Sequence, residues 1–303
     1  MDPLSFVVVA LYLSIIGYFS WRGFRQTRTA ADYLLAGRKA NPIVMALSYG
    51  ATFISTAAIV GFGGISAQFG MGLLWLTFLN IFVGVFIAFV FLGGPTRKMG
   101  HHLDAHTFPE LLGRRYGSRF VQVFAGLVIF AFMPLYAMAA INGASEFIVR
   151  AFGIPFDAAL YVFAAVVAVY VLFGGLKGVM ATEAMQGGIM LFGMLVLLGV
   201  TYFMLGGITP AHEALSAMDP PAGLQVIGHQ GYTSMPDFGW ASADAGMPDA
   251  VGHHLWWIMI SGITLGVGIG VLAQPQLVVR FMTVPSKKSL NRAVAPGALF
   301  IFA

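Results

Sequence analysis

Residues 47–66 read LSYGATFISTAAIVGFGGIS, and this stretch decides the fold class of the chain. It lies in a run from Ala40 to Thr96 without any charged side chain, so it is apolar enough to cross a membrane. Yet Gly, Ser and Thr fill its middle, and these residues weaken a continuous helix. Non-helical backbone survives at membrane depth only where it lines a cavity or is buried in protein. The stretch is therefore unsuited to a continuous membrane-spanning helix.

A second apolar stretch, five spans later, has the same character. It carries Gly262, Gly266, Gly268 and Gly270, followed by the pair Gln274-Pro275. In one span alone, close helix packing through small residues is the better explanation. Two such spans in these positions favour a ligand site, because inverted repeats place broken helices in corresponding positions and freed carbonyls coordinate cations.

The remaining sequence predicts an all-α membrane protein, a bundle of several spans. A spanning helix needs about 20 apolar residues. Seven stretches qualify: Pro3–Trp21, Pro42–Phe69, Met71–Gly94, Phe120–Ser145, Ala158–Leu176, Ala184–Leu205 and Leu255–Val279. An eighth begins near Ala293, and its helical residues would cover only ~16 Å of a hydrocarbon core roughly 30 Å thick. We therefore expect a chain truncated after about seven and a half spans.

The basic residues predict the orientation of the bundle. Of 16 Lys and Arg residues, all but Arg150 lie in alternate gaps between the spans, and the intervening gaps hold eight of the twelve acids. Cationic loops resist translocation, so Arg22–Lys39, Arg97–Arg119 and Arg280–Arg292 are expected on the cytoplasmic side of a multi-pass plasma-membrane protein, of the prokaryotic inner-membrane type. The N-terminus and the loop 206–254 then lie outside.

Composition excludes several classes of function. Charged residues make up only 9% of the chain and hydrophobic residues 58%. The isoelectric point near 9.4 does not indicate nucleic acid, because the basic residues sit at span ends, where membrane lipid accounts for them. The chain has no Cys, and the spans bury almost no acids or histidines, so nothing indicates an enzyme or an organic cofactor. The His101–His106 segment lies in a basic gap without Cys and predicts no metal site.

Four segments resemble the sodium/solute symporter family. They are Asp32–Arg38 (DYLLAGR), Ala46–Ser55 (ALSYGATFIS), Phe173–Gln186 (FGGLKGVMATEAMQ) and Ala273–Met282 (AQPQLVVRFM). They occur in the family's order, and together they extend over most of the chain. The resemblance implies a leucine-transporter-like inverted-repeat fold in a single transporter domain, 1–303. Residues 3–21 would form a leading helix, 42–205 the first five-helix repeat, 206–254 an external loop and 255–303 the start of the second repeat.

The resemblance also implies site residues. Sodium would be held by the backbone carbonyls of Ala51 and Ile54, with Ser55 as a further candidate, and hydroxyl ligands would come from a helix beyond residue 303. Substrate would lie between the two broken helices. The residues implied there are Ala57, Ala58, Tyr136, Val267, Gly268, Val271 and Gln274.

The chain departs from the family's pattern at three positions. Phe53 stands where the proline-transporter branch has Asp, and Val267 stands where that branch has Trp; both count against proline as the solute. Glu183 replaces the usual Asp of the third segment and keeps its charge. It is either part of a cytoplasmic ion-exit path or a solvated acid at a helix start near Lys177, since anions suit helix N-termini.

These observations predict a secondary active transporter that imports a small organic solute with sodium, by alternating access. The solute classes considered are an amino acid, a monocarboxylate, pantothenate or a similar compound. A proton is a weaker coupling ion, because the spans bury few acids. The alternative from another class is a membrane sensor that uses this fold as its ligand-binding input, followed by a cytoplasmic domain. A channel is a third and weaker hypothesis.

Overall fold

A computed structural model describes residues 3–54, 61, 63–64, 66, 78–217, 262 and 265–302. The helices are α1 (Pro3–Gln26), α2 (Ala30–Leu35), α3 (Pro42–Phe53), α4 (Gly94–His102), α5 (Phe108–Tyr116), α6 (Arg119–Phe152), α7 (Phe156–Met204), α8 (Ile208–Ser216), α9 (Pro275–Phe281) and α10 (Lys287–Phe302). Wide π-helical turns, Leu79–Phe86 and Ala88–Gly93, lead directly into α4, and tight 3₁₀ turns occur at Ala36–Arg38 and Gly270–Ala273. The described part of the chain contains no strand, in agreement with the predicted all-α class.

Both helices predicted to be broken do break. Asn41 caps the start of α3 by accepting a hydrogen bond from the Ile43 amide, and helical geometry stops at Ile54, where ψ is 79°. In the second broken helix, the 3₁₀ turn Gly270–Ala273 is followed by extended backbone at Gln274 (ψ 118°), and Pro275 then begins α9. Proline suits a first helical position because the missing amide would have no partner there. Pro275 therefore starts a new helix on the far side of the break.

The longest helical segment, α7, is two helices joined at Gly175. Its 49 residues would extend ~74 Å as one straight helix, more than twice the roughly 30 Å hydrocarbon core. Gly175 has φ 54° and ψ −170°, a conformation that side chains strongly disfavour. Tyr170 and Gly178, on opposite sides of this bend, both lie against Ser20 of α1. The bend falls beside Leu176, the predicted boundary between two spans.

Polar caps define the short segments between the spans. Thr29 and Asp32 form a reciprocal capping box at the start of α2. Thr107 caps α5 by accepting from the Glu110 amide at 3.3 Å, which gives this short helix a defined beginning. Ser118 caps α6 in the same way, through the Val121 amide.

The main core lies among α3, the π-helical segment, α9 and α10. At its centre three aromatic rings pack edge to face: Tyr49 lies 4.6 Å from Phe89, and Phe89 lies 5.2 Å from Phe281, measured between ring centroids. Such pairs contribute about 0.5–1.5 kcal/mol beyond the area they bury. The rings join α3 and α9 to the π-helical segment, so the two broken helices are held in a fixed position relative to each other.

Three of the described helices are long and apolar enough to cross a membrane: α1, α6 and α7. They are exposed along most of their length; in α6, for example, Phe130 is 79% exposed. Apolar side chains exposed around a whole helix are the normal surface of a lipid-facing span. Of the predicted loop 206–254, the described part contains α8, and residues 218–254 lie outside the described residues.

Candidate functional site

Three helices converge where the two broken spans meet the second half of α7. Ser48 and Thr52 are one turn apart on α3, and Glu183 and Gly187 are one turn apart on α7, so each pair shares a helix face. A Cβ at Gly187 would lie 3.1 Å from the Leu47 carbonyl oxygen and 3.4 Å from the Ala51 Cβ. The small residue at Gly187 thus lets α3 approach α7 closely enough for their polar groups to meet.

The centre of this junction is an ion pair between Arg280 of α9 and Glu183 of α7. The guanidinium Nη2 lies 2.9 Å from the Glu183 carboxylate, and the two side chains are only 4% and 16% exposed. Ser48 accepts a hydrogen bond from Arg280 Nη1 at 2.8 Å and donates to Glu183 Oε2 at 2.6 Å. We call Ser48, Thr52, Glu183 and Arg280 the inner network.

Thr52 completes the inner network. Its hydroxyl lies 2.9 Å from Glu183 Oε1 and 2.8 Å from the Ser48 carbonyl oxygen, and it accepts a hydrogen bond from Arg280. One hydroxyl proton cannot serve both acceptors at once, so Thr52 can exchange between its own helix and Glu183. The carboxylate therefore has an alternative partner on α3 that requires no movement of the backbone.

Because the inner network is buried, removing one of its members should lower the free energy of unfolding. Removing one partner of a buried ion pair commonly costs about 3–5 kcal/mol, because it leaves the other charge uncompensated. Replacing both partners by apolar groups is often neutral or stabilising, so stability alone does not require such a pair. Ionisable groups buried inside a membrane bundle are rare and commonly functional, so this ion pair is a candidate for a role in transport.

The network lies at a fixed distance from both helix breaks. Ile54 follows Ser48 by six positions, and Gln274 precedes Arg280 by six positions. At about 1.5 Å per residue along the helix axis, the break in α3 lies ~3 Å from Thr52 and ~9 Å from Ser48, and the break before α9 lies ~9 Å from Arg280. The amide of Ala40, before α3, bonds to the Thr283 carbonyl oxygen, after α9, so the two helices run in opposite directions and both breaks lie on the same side of Arg280.

The structure places the two residues predicted to bind sodium at the end of α3. Ala51 lies in its last turn and Ile54 directly follows it, and both pack partly against the core. Helical geometry continues past Gly50, because the Gly50 carbonyl accepts a hydrogen bond from the Ile54 amide at 2.8 Å. The break lies at Ile54. Ser55, the further candidate, is outside the described residues.

The residues predicted to bind substrate do not form one group in this structure. Gly268 and Val271 lie together against Gly84, and Val271 is buried in the core. Val267 is half-buried, and the Gln274 side chain accepts a hydrogen bond from Gln276 at 3.1 Å.

Tyr136 lies apart from this group, 38% exposed in the middle of α6, which packs mainly against α5 and α7. Ala57 and Ala58 lie outside the described residues. The described positions on the second broken helix thus share one region, and Tyr136 does not join them.

The structure shows the surroundings of two charged residues. Arg280 begins a segment expected on the cytoplasmic side, and it is 3% exposed and paired within the bundle. Glu183 is not a solvated acid, because its side chain is 16% exposed and bound to Arg280, while Lys177 binds Asp32, at 2.7 Å. That hydrogen bond, with a second from Thr29, holds the pKa of the Asp32 carboxyl well below its usual range. Sequence reasoning missed Ser48 and Arg280; the available signal was a lone cation five positions after a helix-starting Pro275.

The histidine-rich segment contacts the bundle through the ring of His101. The His101 ring lies 3.2 Å from the Met282 carbonyl oxygen, and burial lowers the pKa of this histidine. Among the described residues, no group of three or more acids and histidines is arranged to hold a metal ion.

The known proteins that resemble this chain agree with one another on the kind of protein it is similar to. Residues 33–303 match the sodium:solute symporter family. The osmoregulated proline transporter of Bacillus subtilis is 28% identical over 95% of this chain and 53% of its own length. A sodium/proline symporter of Staphylococcus aureus is 27% identical over 95% of this chain and 52% of its own length. The chain thus spans about half the length of these relatives.

A solved structure agrees on the fold. A Na⁺-coupled sialic acid symporter, in a substrate-bound outward-open state, superimposes with a TM-score of 0.72 at 18% identity. The match covers 98% of this chain and 58% of the symporter. The fold is the leucine-transporter-like bundle that the four motifs implied, and these relatives are transporters rather than enzymes. With nine-tenths of its length matched, this chain belongs to the sodium:solute symporter family.

Proposed function

We propose that this protein is a secondary active transporter that imports a small organic solute together with sodium, by alternating access. The observation that carries the proposal is the pairing of the two broken helices, α3 and α9, through the inner network. Discontinuous helices that face each other provide backbone carbonyls and helix ends for ions and solutes at membrane depth. In this domain 42–205 would be the first repeat and 255–303 the start of its inverted partner.

Sodium would bind at the end of α3. Carbonyl groups in the last turn of a helix lack intrahelical partners, so they are available to a desolvated cation. The carbonyls of Ala51 and Ile54 would supply part of the coordination shell, with Ser55 as a further ligand. Sodium is the coupling ion, and no organic cofactor is required.

The inner network would control release of sodium towards the cytoplasm. In this arrangement Arg280 neutralises Glu183, so the carboxylate is not free to attract a cation. Separation of α9 from α7 would expose Glu183, and sodium leaving the end of α3 would then pass a free carboxylate. The Thr52 hydroxyl can donate to either acceptor, because it already lies within hydrogen-bond distance of both Glu183 and its own helix.

The solute would lie between the two broken helices. Two of the relatives above are named for proline, yet Phe53 and Val267 replace the Asp and Trp of the proline-transporter pattern. We therefore propose an amino acid, a monocarboxylate, pantothenate or a similar small solute rather than proline. Of the predicted contacts, Val267, Gly268, Val271 and Gln274 provide one wall; Ala57, Ala58 and Tyr136 would provide the other in the solute-bound state.

An uptake screen tests the proposal. The protein is reconstituted in proteoliposomes, and uptake of labelled amino acids including proline, monocarboxylates, sugars and pantothenate is measured with an inward sodium gradient. We expect one class to accumulate only with sodium, and choline or potassium not to replace it. Accumulation driven equally well by a proton gradient, or binding without accumulation, would contradict sodium-coupled import.

Orientation is tested separately. The charge asymmetry places the N-terminus and the loop 206–254 outside, so Ser242→Cys should react with an impermeant thiol reagent added to intact cells. This chain has no native Cys, so labelling reports the new position alone. Reaction only after the cytoplasmic side is opened would reverse the orientation.

A further inference from the structure

A cavity of about 570 Å³ opens between α1, the start of α3 and the second half of α7, away from the inner network. Its volume falls within the ~300–1,000 Å³ typical of small-molecule sites. We call it the basic cavity, because three cations and no acid line it: Arg22, Lys39 and Lys177.

The charges of the basic cavity are not balanced by the protein. Lys177 is bound to Asp32 at 2.7 Å, and the low pKa of that carboxyl keeps Asp32 ionised, so this pair is neutral. Arg22 and Lys39 are exposed, and within the described part of the chain neither has a hydrogen-bond or ion-pair partner. Two cations therefore face the cavity without a counter-charge.

The rest of the cavity wall is largely apolar. Phe19, Val44, Met180, Ala181 and Ala184 form much of it. A soluble anion would leave this surface facing water, whereas a molecule with an anionic head and a hydrocarbon chain would cover it. The chemistry of rim and wall together favours an amphiphile.

The cavity also lies at the depth where such a molecule is available. Trp21 and Phe24, on the last turns of α1, are 54% and 57% exposed, and the Arg25 guanidinium lies over the Trp21 ring at 5.1 Å. Amphipathic aromatic rings and cations at the end of a span are typical of the membrane–water interface. The rim of the basic cavity is therefore level with lipid head groups.

We propose that the basic cavity binds one anionic phospholipid. The phosphate lies between Arg22 and Lys39, and the first part of an acyl chain runs along the wall formed by Phe19, Val44 and Met180. Basic pockets between membrane helices recognise anionic head groups in this way. The lipid would join α1 to both α3 and α7. The inference rests on the membrane location of the family and not on the proposed transport activity.

Native mass spectrometry of the purified protein tests the proposal. The protein in detergent is titrated with phosphatidylglycerol, phosphatidylcholine or inorganic phosphate, and retained ligand is measured. We expect phosphatidylglycerol to be retained in preference to phosphatidylcholine, with a stoichiometry of one. Each cation near a lipid surface contributes roughly fivefold in affinity, so Arg22→Gln with Lys39→Gln should weaken retention ~30-fold.

A charge-matched control comes from the same segment. Arg25→Gln with Arg28→Gln removes two neighbouring cations that do not line the cavity, and it should leave phosphatidylglycerol retention at the original level. Equal weakening by the two double variants would show only general attraction to a basic surface, and would overturn the proposal.

A third variant tests the apolar wall with all charges intact. Ala181→Trp should fill the cavity and abolish lipid retention, while the melting temperature shows that the variant is folded. Unchanged retention in Ala181→Trp, or inorganic phosphate competing as strongly as the lipid, would assign the cations to a free anion and contradict the lipid site. If the double variant does not fold, Arg22→Gln alone and Ala181→Trp decide the question.

Discussion

Two ion pairs hold the second half of α7, and they differ in their surroundings. Glu183 binds Arg280 among three helices, shares its carboxylate with two hydroxyl groups, and leaves Arg280 almost without exposure. Lys177, six positions earlier, binds Asp32 of the short helix α2 near the end of the span, where both partners keep about a fifth of their exposure. The first pair therefore cannot lose a partner without leaving a buried charge, whereas the second attaches α2 to α7 near the end of the span.

The difference teaches which pair can take part in transport. The buried pair joins α7 to both broken helices, so any relative movement of those helices must break or rearrange it. The outer pair joins the short helix α2 to α7 beside the end of α1, and it can persist while the bundle moves. We expect substitutions at the buried pair to change stability and uptake together, and substitutions at the outer pair to change mainly stability.

The largest effect should come from Arg280→Met. It leaves Glu183 buried without a counter-charge, and this should cost about 3–5 kcal/mol of stability and abolish uptake. Glu183→Gln combined with Arg280→Met should restore the melting temperature but not sodium-coupled uptake. The matched control is Lys177→Met at the outer pair, which should fold and transport. An Arg280→Met protein with unchanged stability and uptake would show that the inner network is not required.

A smaller effect should come from the contact between α3 and α7. Gly187→Val should push α3 away from α7, since a Cβ there already meets the Leu47 carbonyl oxygen and Ala51, and overpacking typically costs about 1–3 kcal/mol. Gly188→Val is the control one residue away, where a Cβ meets nothing within 4 Å. Melting temperatures and sodium half-saturation of uptake are compared; equal results for both variants would contradict the close approach.

The outer pair should make the stability of the protein depend on pH in acid. The hydrogen bond from Lys177 holds the pKa of Asp32 below its ordinary value of 3.8, so its stabilising contribution is complete above that value. The contribution is lost as pH falls through the lower pKa of the folded protein. Asp32→Asn should therefore lower the melting temperature modestly at pH 7 and flatten its fall below about pH 4. A variant that loses stability in acid as steeply as the parent would exclude this role.

The smallest effect should come from the ion pair between Arg38 and Asp104. The two groups lie 2.9 Å apart, but Asp104 is 69% exposed. Exposed pairs contribute about 0–1 kcal/mol, so Asp104→Asn should leave uptake unchanged and melting nearly so. Loss of uptake in this variant would show that the functional site includes this ion pair.

Sequence predicted the features that depend on local chemistry. Glycine and hydroxyl residues before Ile54, and the pair Gln274-Pro275, were sufficient to predict two broken helices, because backbone propensity acts over a few residues. The bend at Gly175 fell at a predicted span boundary for the same reason. The end of α3 within residues 47–66 could not be assigned from sequence; the Gly50 carbonyl keeps its helical hydrogen bond, and regular geometry stops at Ile54.

Sequence could not predict the partner of Glu183. Arg280 follows it by 97 positions, and their contact depends on how α9 packs against α3, which itself packs against α7. From the sequence alone, a lone arginine at the end of an apolar helix has the pattern of a cation at the membrane surface. The basic cavity was missed for a similar reason, because Arg22, Lys39 and Lys177 come together only through tertiary packing.

Direct binding of radioactive sodium to the purified protein tests the central claim, that the end of α3 forms a sodium site. The protein, Ile54→Val and Ile54→Pro are compared by scintillation proximity, with circular dichroism as a check on folding. Proline at position 54 removes the amide that bonds to Gly50 and changes the carbonyl geometry there, whereas valine preserves both. We predict saturable sodium binding that potassium does not displace, present in Ile54→Val and lost in Ile54→Pro. Equal binding by both variants, or no saturable binding by the parent protein, would contradict the account.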